Sequence, residues 1–248
     1  MDSYGEYKWQ IRTSECDASG GATLPAILNL LQEAASLNAE ELGFSKSNFA
    51  AEGSNISWVL THLKIRMMRY PRWEERVRIV TWPRGGRKIT ALRDFEILDA
   101  GGERLGFASS AWMLIDLDTR KIVPVPAEVF ARANDVRGAV FGAEDFARLR
   151  WDCRESLQPL RFRAKRADID LNGHVNNVHY AEWLLETVPA EAGMCEACEI
   201  VFKSETLAGD DVLAEGVEIA PGQFVHRVYG PDGRDHVLAC TRFARRGE

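Results

Sequence analysis

The run Asp168-Ile169-Asp170-Leu171-Asn172-Gly173-His174-Val175-Asn176-Asn177 crowds carboxylates, amides and an imidazole around one glycine. Directly after it, Val178, Ala181, Leu184, Leu185 and Val188 recur at helical intervals, so a polar loop feeds an amphipathic helix. At a helix N-terminus, unpaired N–H groups and the positive end of the macrodipole favour negative charge, including the charge that develops on a carbonyl oxygen under attack. His174 is a candidate base, since imidazole exchanges protons near neutral pH. Asn172 offers an amide donor for the carbonyl oxygen or an orienting contact. Asp170 can fix the geometry of both or act as a nucleophile; the sequence leaves these roles open. The ordinary alternative is helix capping, for which Asp168, Asn176 or Asn177 would serve. A lone histidine is more often structural, and His62, His179, His226 and His236 are read that way; His174 stands apart by its company.

The elements that must carry this loop form two similar series. In the first, Tyr7 to Arg12 reads as a strand, Thr13 to Thr23 as a polar loop, and Leu24, Leu28, Leu31 and Ala35 as one stripe of a helix. Pro25 is tolerated in that helix's first turn, and Gly43 lies past its end. From Ile56 to Met68 the period changes to two, with Val59, Thr61, Leu63, Ile65 and Met67 facing one way and His62, Lys64 and Arg66 the other. Further strands are expected over Arg76 to Trp82, Lys88 to Leu98 and Glu103 to Leu117. Turns at Pro83-Arg84-Gly85-Gly86 and Asp99-Ala100-Gly101-Gly102 make the sheet antiparallel. Residues 127–156 read as a connection with helical pieces at Ala127 to Ala133 and Ala143 to Leu149. The plan then repeats. Leu160 to Lys165 is a strand, Arg166 to Gly173 a loop, and Val175 to Val188 a helix. Strands follow near Cys198 to Lys203, Asp211 to Ile219, Gln223 to Tyr229 and His236 to Arg242, with a turn at Pro231-Asp232-Gly233. Ile11-Arg12 with Asp17 parallels Phe162-Arg163 with Asp168, which suggests duplication. Where the second series has Asp170, Asn172 and His174, the first has Ala18-Ser19-Gly20-Gly21-Ala22-Thr23, so one reactive centre per chain is expected.

With 248 residues and a formal net charge of -6, the chain is a soluble globular type and lacks the broad basic surface that general nucleic-acid binding requires. No stretch approaches the roughly 20 apolar residues of a membrane span. Met1-Asp2-Ser3-Tyr4-Gly5-Glu6 lacks the order of a secretory signal and is too acidic for a transit peptide, so cytoplasm is expected. Five cysteines are scattered except for Cys195-Glu196-Ala197-Cys198, which reads as reduced thiols beside a strand because no second pair completes a zinc site. His174 and His179 are wrongly spaced for a metal on one helical face, and neither a His-Glu-x-x-His nor a Gly-x-Ser-x-Gly motif is present. No metal or cofactor is expected.

Asp-x-Asp-x-Asn-x-His-Val-Asn-Asn, followed by an aromatic residue and a Trp-bearing helix, resembles the signature of the fatty acyl-[acyl carrier protein] thioesterases. Trp58-Val59-Leu60-Thr61, Tyr70-Pro71, Thr81-Trp82, Arg93-Asp94-Phe95 and Ser109-Ser110-Ala111-Trp112 extend the resemblance over nearly the whole chain. It implies an α+β tandem (double) hot-dog, each half a curved antiparallel sheet around a central helix. Residues 1–126 would be the acyl-pocket half and 157–248 the catalytic half. The implied reaction is hydrolysis of fatty acyl thioesters on acyl carrier protein. The family places a glutamate, often followed by cysteine, after the reactive helix; Glu205 matches the glutamate and Thr206 replaces the cysteine, which removes a thiol nucleophile there. Glu205 and His174 activating water, with Asp170 and Asn172 organising the site, is the favoured arrangement. Arg161, Arg163 and Lys165 alternate on one strand face and could meet a phosphopantetheine phosphate or an acidic carrier, or form an ordinary solvated face. Trp58, Trp82 and Trp112 are read as core side chains, some of which could line an acyl tunnel. The alternatives are an acyl-CoA thioesterase of the same fold and a non-catalytic acyl-binding module. A dehydratase on this scaffold fits the whole-chain resemblance less well. A monomer and a homodimer are both compatible, because an in-chain duplication can replace the pairing a single hot-dog needs.

Overall fold

A computed structural model describes residues 3–133, 137–142, 146–153 and 158–244. The chain divides into two compact units, Met1–Asp145 and Phe146–Glu248. No helix among the described residues is long and apolar enough to cross a membrane.

The first unit contains β1 (Gly5–Gln10), α1 (Leu24–Glu41), α2 (Lys46–Ala51), β2 (Ile56–Met67), β3 (Arg76–Arg87), β4 (Thr90–Asp99), β5 (Arg104–Asp116), β6 (Ile122–Val123) and α3 (Ala127–Phe130). Its strands lie in the order β1-β3-β4-β5-β2, each pair antiparallel, with β6 added to β5. The stripe on α1 gives Ile27, Leu31 and Ala34 almost no exposure, and the helix packs on β3 and β1. Thr23 caps it, its hydroxyl accepting the Ala26 N–H at 3.2 Å.

Two expectations fail here for one reason, a β-bulge. Pro83 to Gly86 does not turn the chain. β3 runs on to Arg87 through a register shift between Pro83 and Gly85, and the reversal comes at Lys88, whose φ is +52°. Gly86 is required there by crowding, because a Cβ would sit 2.1 Å from the Thr90 carbonyl oxygen. In β2 a second shift between Leu60 and His62 changes the alternation, so Leu60 is buried and Val59 is exposed. α2, β6 and the short length of α3 were not foreseen. No helix spans 146–149, and the rest of the helical piece expected at Ala143 to Leu149 lies outside the described residues.

The second unit contains β7 (Leu160–Arg163), α4 (Asn177–Leu185), β8 (Cys195–Phe202), β9 (Asp211–Ala220), β10 (Gln223–Tyr229) and β11 (Asp235–Phe243). Its antiparallel order is β8-β11-β10-β9-β7, and α4 packs on β9 and β10. Val178, Ala181 and Leu184 form the buried stripe of α4, as their spacing predicts, and Tyr180 and Trp183 are buried with them. Each unit is thus a curved sheet around one helix, the hot-dog arrangement, and the chain is a double hot-dog. Cys195 and Cys198 lie buried within β8, and burial pushes both thiols to higher pKa.

Candidate active site

The loop before α4 is a tight, self-bonded turn. Asp170 N–H donates to the His174 carbonyl (2.9 Å) and Gly173 N–H to the Asp170 carbonyl (3.0 Å), with Gly173 at a φ of +84°. The Asp170 carboxylate accepts the Asn172 backbone N–H at 2.7 Å, so it sets the Asn172 main chain. Asn176 caps α4 by accepting the Val178 N–H at 3.1 Å, while Asp168 accepts the Lys165 N–H at 2.8 Å. Asn172 is exposed. His174 is half-buried, with Nδ1 3.3 Å from the Val175 carbonyl and 4.0 Å from Asp170 Oδ1, and its Nε2 has no protein partner among the described residues.

Glu205 reaches this loop through the backbone. It lies past the end of β8, exposed, and the next carbonyl, that of Thr206, accepts the Val175 N–H at 2.9 Å. That bond ties the chain one residue past Glu205 to the chain one residue past His174. Thr206 has no exposure, and its Oγ1 accepts the Tyr180 hydroxyl of α4 at 2.8 Å. Reading the chain alone missed this pair; the signal was a tyrosine on the apolar stripe of α4, since a buried hydroxyl needs a partner.

Arg161 and Arg163 on β7 and Lys165 beyond it are exposed along one groove, bordered by Asp168, His179 and Glu182. Phe162 stacks on Trp183 at 5.8 Å to form its floor. Arg163 pairs loosely with Asp211 (3.6 Å). His179 Nδ1 lies 2.7 Å from Glu182, whose hydrogen bond raises the imidazole pKa.

The first unit builds the same turn without the same chemistry. Asp17 N–H donates to the Gly21 carbonyl (2.9 Å), Gly20 N–H to the Asp17 carbonyl (3.0 Å), Ser19 N–H to the Asp17 carboxylate (2.8 Å) and Ala22 N–H to the Pro71 carbonyl (2.8 Å). The counterparts are therefore Asp17 for Asp170, Ser19 for Asn172, Gly21 for His174, Tyr70 for Glu205 and Pro71 for Thr206. This corrects the pairing of Asp17 with Asp168; Glu15, which accepts the Arg12 N–H at 2.7 Å, is the counterpart of Asp168. Arg72 donates to the Ser19 carbonyl at 2.7 Å. The Ser19 hydroxyl, with help from Arg72, holds the Asp17 carboxyl below the usual carboxylate range.

The first unit holds instead a cavity of ≈ 80 Å³, walled largely by Ala35, Ala39, Leu42, Phe44, Trp58 and Trp112. Arg93 also lines it, donating to Asn38 Oδ1 (2.7 Å) and Thr81 Oγ1 (3.1 Å), and burial lowers its pKa to about 10. Trp82 is instead a core residue, 1% exposed.

A double hot-dog with a polar turn at one buried helix defines the class: the chain is a thioester hydrolase of the α+β type. The description "Acyl-ACP thioesterase N-terminal domain" matches residues 3–133, and "Acyl-ACP thioesterase C-terminal domain" matches residues 153–244. The chain belongs to the acyl-ACP thioesterase family. It is 30% identical to oleoyl-acyl carrier protein thioesterase 2, chloroplastic, of Arabidopsis thaliana, over 99% of this chain and 74% of that protein. It is 34% identical to the Coriandrum sativum oleoyl-acyl carrier protein thioesterase, chloroplastic, over 96% of this chain and 69% of that protein. An acyl-ACP thioesterase structure from Bacteroides thetaiotaomicron superposes with a TM-score of 0.80 at 25% identity, covering 98% of both chains. The 12:0-ACP thioesterase of Umbellularia californica shares the fold, with a TM-score of 0.83 at 21% identity over 98% of both chains.

Proposed function

We propose that the chain hydrolyses fatty acyl thioesters of acyl carrier protein at the loop before α4, with Glu205 and His174 activating water and Asp170 and Asn172 organising the site. The observation that supports this is the Val175–Thr206 backbone bond, which ties the segment carrying Glu205 to the loop that carries the half-buried imidazole. The proton leaves water for this acid–imidazole pair as the oxygen bonds to the carbonyl carbon. The C–S bond then breaks, and a thiolate needs little help to leave. In this reading the exposed Asn172 side chain supplies an amide N–H to the carbonyl oxygen. The Thr206 hydroxyl, fully buried and accepting from Tyr180, is no nucleophile. Substituting Glu205→Ala and measuring hydrolysis of a carrier-bound acyl chain tests the reading: turnover should fall at least 100-fold, on the order expected for a lost general base, whereas near-normal turnover removes Glu205 from the mechanism.

Arg161, Arg163 and Lys165 are proposed to dock the carrier or its phosphopantetheine phosphate, supported by their shared, exposed groove. Residues 1–126 are proposed as the acyl-pocket half, supported by the apolar cavity there, and 157–248 as the catalytic half joined by 127–156. Cytoplasmic location belongs to the same proposal. Its support is the cysteine usage, five in number and mostly scattered, which reads as reduced thiols, and fractionation of the source cells tests it. Assembly as a monomer or a homodimer is read by light scattering. Either leaves the proposed chemistry unchanged, since its groups all come from residues 168–206 of one chain.

A further inference from the structure

We infer that Thr206 and Tyr180 are positioning residues for Glu205, an inference that rests on the function proposed above. The two copies of the loop supply the argument. Both tie the loop to the following segment through a carbonyl, that of Pro71 in the first unit and that of Thr206 in the second, at 2.8 and 2.9 Å. The backbone bond alone therefore suffices to fold this turn. In the first unit the fourth residue past the helix cap is Ile27, fully buried, and Pro71 has no hydroxyl. In the second unit the same two places hold Tyr180 and Thr206, joined by a 2.8 Å hydrogen bond between side chains that are 2% and 0% exposed. A buried polar pair is costly unless geometrically satisfied, so it fixes one arrangement where an apolar contact would tolerate several. It occurs in the copy that carries the imidazole and the acid, and it grips the residue next to Glu205. Thr206 thus acts through Glu205, anchoring the backbone next to this exposed carboxylate against the loop that carries His174.

The test compares Thr206→Val, Thr206→Ser and Tyr180→Phe with the parent enzyme on one acyl-carrier substrate, with thermal melting as the control for folding. Valine keeps the shape and the carbonyl but loses the hydroxyl. Thr206→Val should lower kcat on the order of 10- to 100-fold, as misplacement of a reacting group by about an ångström does, with KM within about twofold. Thr206→Ser should restore most of the rate, and Tyr180→Phe, which breaks the bond from the other side, should show the same loss. In a Glu205→Gln background, adding Thr206→Val should cost no more than about twofold, because the residue it positions has already been disabled. Losses that multiply in that background, or wild-type turnover in both Thr206→Val and Tyr180→Phe, overturn the positioning role while Glu205 stands. Normal turnover by Glu205→Gln alone overturns the mechanism and the inference together.

Discussion

His226 should make the second unit acid-sensitive in a way one substitution can isolate. It lies on β10, 1% exposed, with Nδ1 3.0 Å from Thr187 Oγ1 and Nε2 2.8 Å from Thr241 Oγ1. The Thr187 hydroxyl already donates to the Leu184 carbonyl (2.7 Å), so it accepts from Nδ1–H, and the Thr241 hydroxyl donates to Nε2. A neutral ring satisfies every group. A second ring proton would face a hydroxyl turned the wrong way, in a site with little solvent to carry the charge. Burial accordingly lowers the pKa from 6.5 to about 4. Because the folded value lies below the unfolded one, the unfolded chain takes up the proton first on acidification. Stability is complete above about pH 6.5, falls as the pH drops toward 4, and levels off below it. At 1.36 kcal/mol per unit, the full difference is on the order of 3 kcal/mol. The assay is urea denaturation of the wild type and of His226→Gln at steps from pH 7.5 to 4. Other groups titrate alike in both proteins, so the gap between the two curves isolates the imidazole. The variant starts lower but should lose about 3 kcal/mol less across the range. Parallel curves would refute the reasoning, because they would mean that the ring is protonated in the folded state without penalty.

Two further outcomes bear on the acyl pocket and the carrier groove. Ala35→Phe, on the cavity-facing side of α1, should lower kcat/KM for long acyl chains about 10-fold or more relative to short ones, since one methylene is worth about 1–3 kcal/mol in such pockets. A panel of acyl-carrier thioesters with released acids quantified by mass spectrometry reads this, and an unchanged chain-length profile places the acyl chain elsewhere. Arg161→Glu with Arg163→Glu should raise KM for carrier-bound substrate several-fold at low salt and flatten its salt dependence, with kcat little changed. An unchanged, salt-insensitive KM would mean the carrier docks on another face.

Much of this architecture was legible because hydrophobic period reports burial directly. The α1 stripe and the strands Asp211–Ala220 and Gln223–Tyr229 required only that alternation or helical spacing persist. The failures share a cause. Pro83-Arg84-Gly85-Gly86 has turn composition, but its glycines serve a bulge where the Gly86 backbone crowds against Thr90. Strict alternation places Val59 inward because it counts straight through Thr61, which has no single partner across the ladder. A bulge depends on the register of two strands, and local composition carries little of that. The candidate site was legible as a motif, Asp170 to His174, but its geometry was not. That Asp170 holds the Asn172 main chain, and that Thr206 is gripped from α4, depends on pairings across 26 or more positions for the second and on turn conformation for the first.

The two loops separate what folds the turn from what the proposed chemistry requires of it. Asp17 and Asp170 make the same contacts to the main chain two residues on, and Gly20 and Gly173 take the same positive φ, 78° and 84°. These groups recur because the backbone needs them. These backbone bonds do not themselves call for His174 or Glu205: Gly21 and Tyr70 occupy their places in a turn with the same hydrogen bonds. The first loop also has its Ser19 carbonyl engaged by Arg72, whose charge helps hold Asp17 ionised. A carboxylate beside a guanidinium and with no imidazole in its turn is a poor base for water, so the first turn does not repeat the proposed reactive centre. Asp170 therefore serves the backbone of the turn as well as the proposed chemistry, whereas the turn's own hydrogen bonds use neither the imidazole nor the Glu205 carboxylate. Loss of activity on removing any of the three is read as chemistry with a stability measurement beside it, and Asp170 is the one whose removal should also loosen the turn, because it holds the Asn172 main chain.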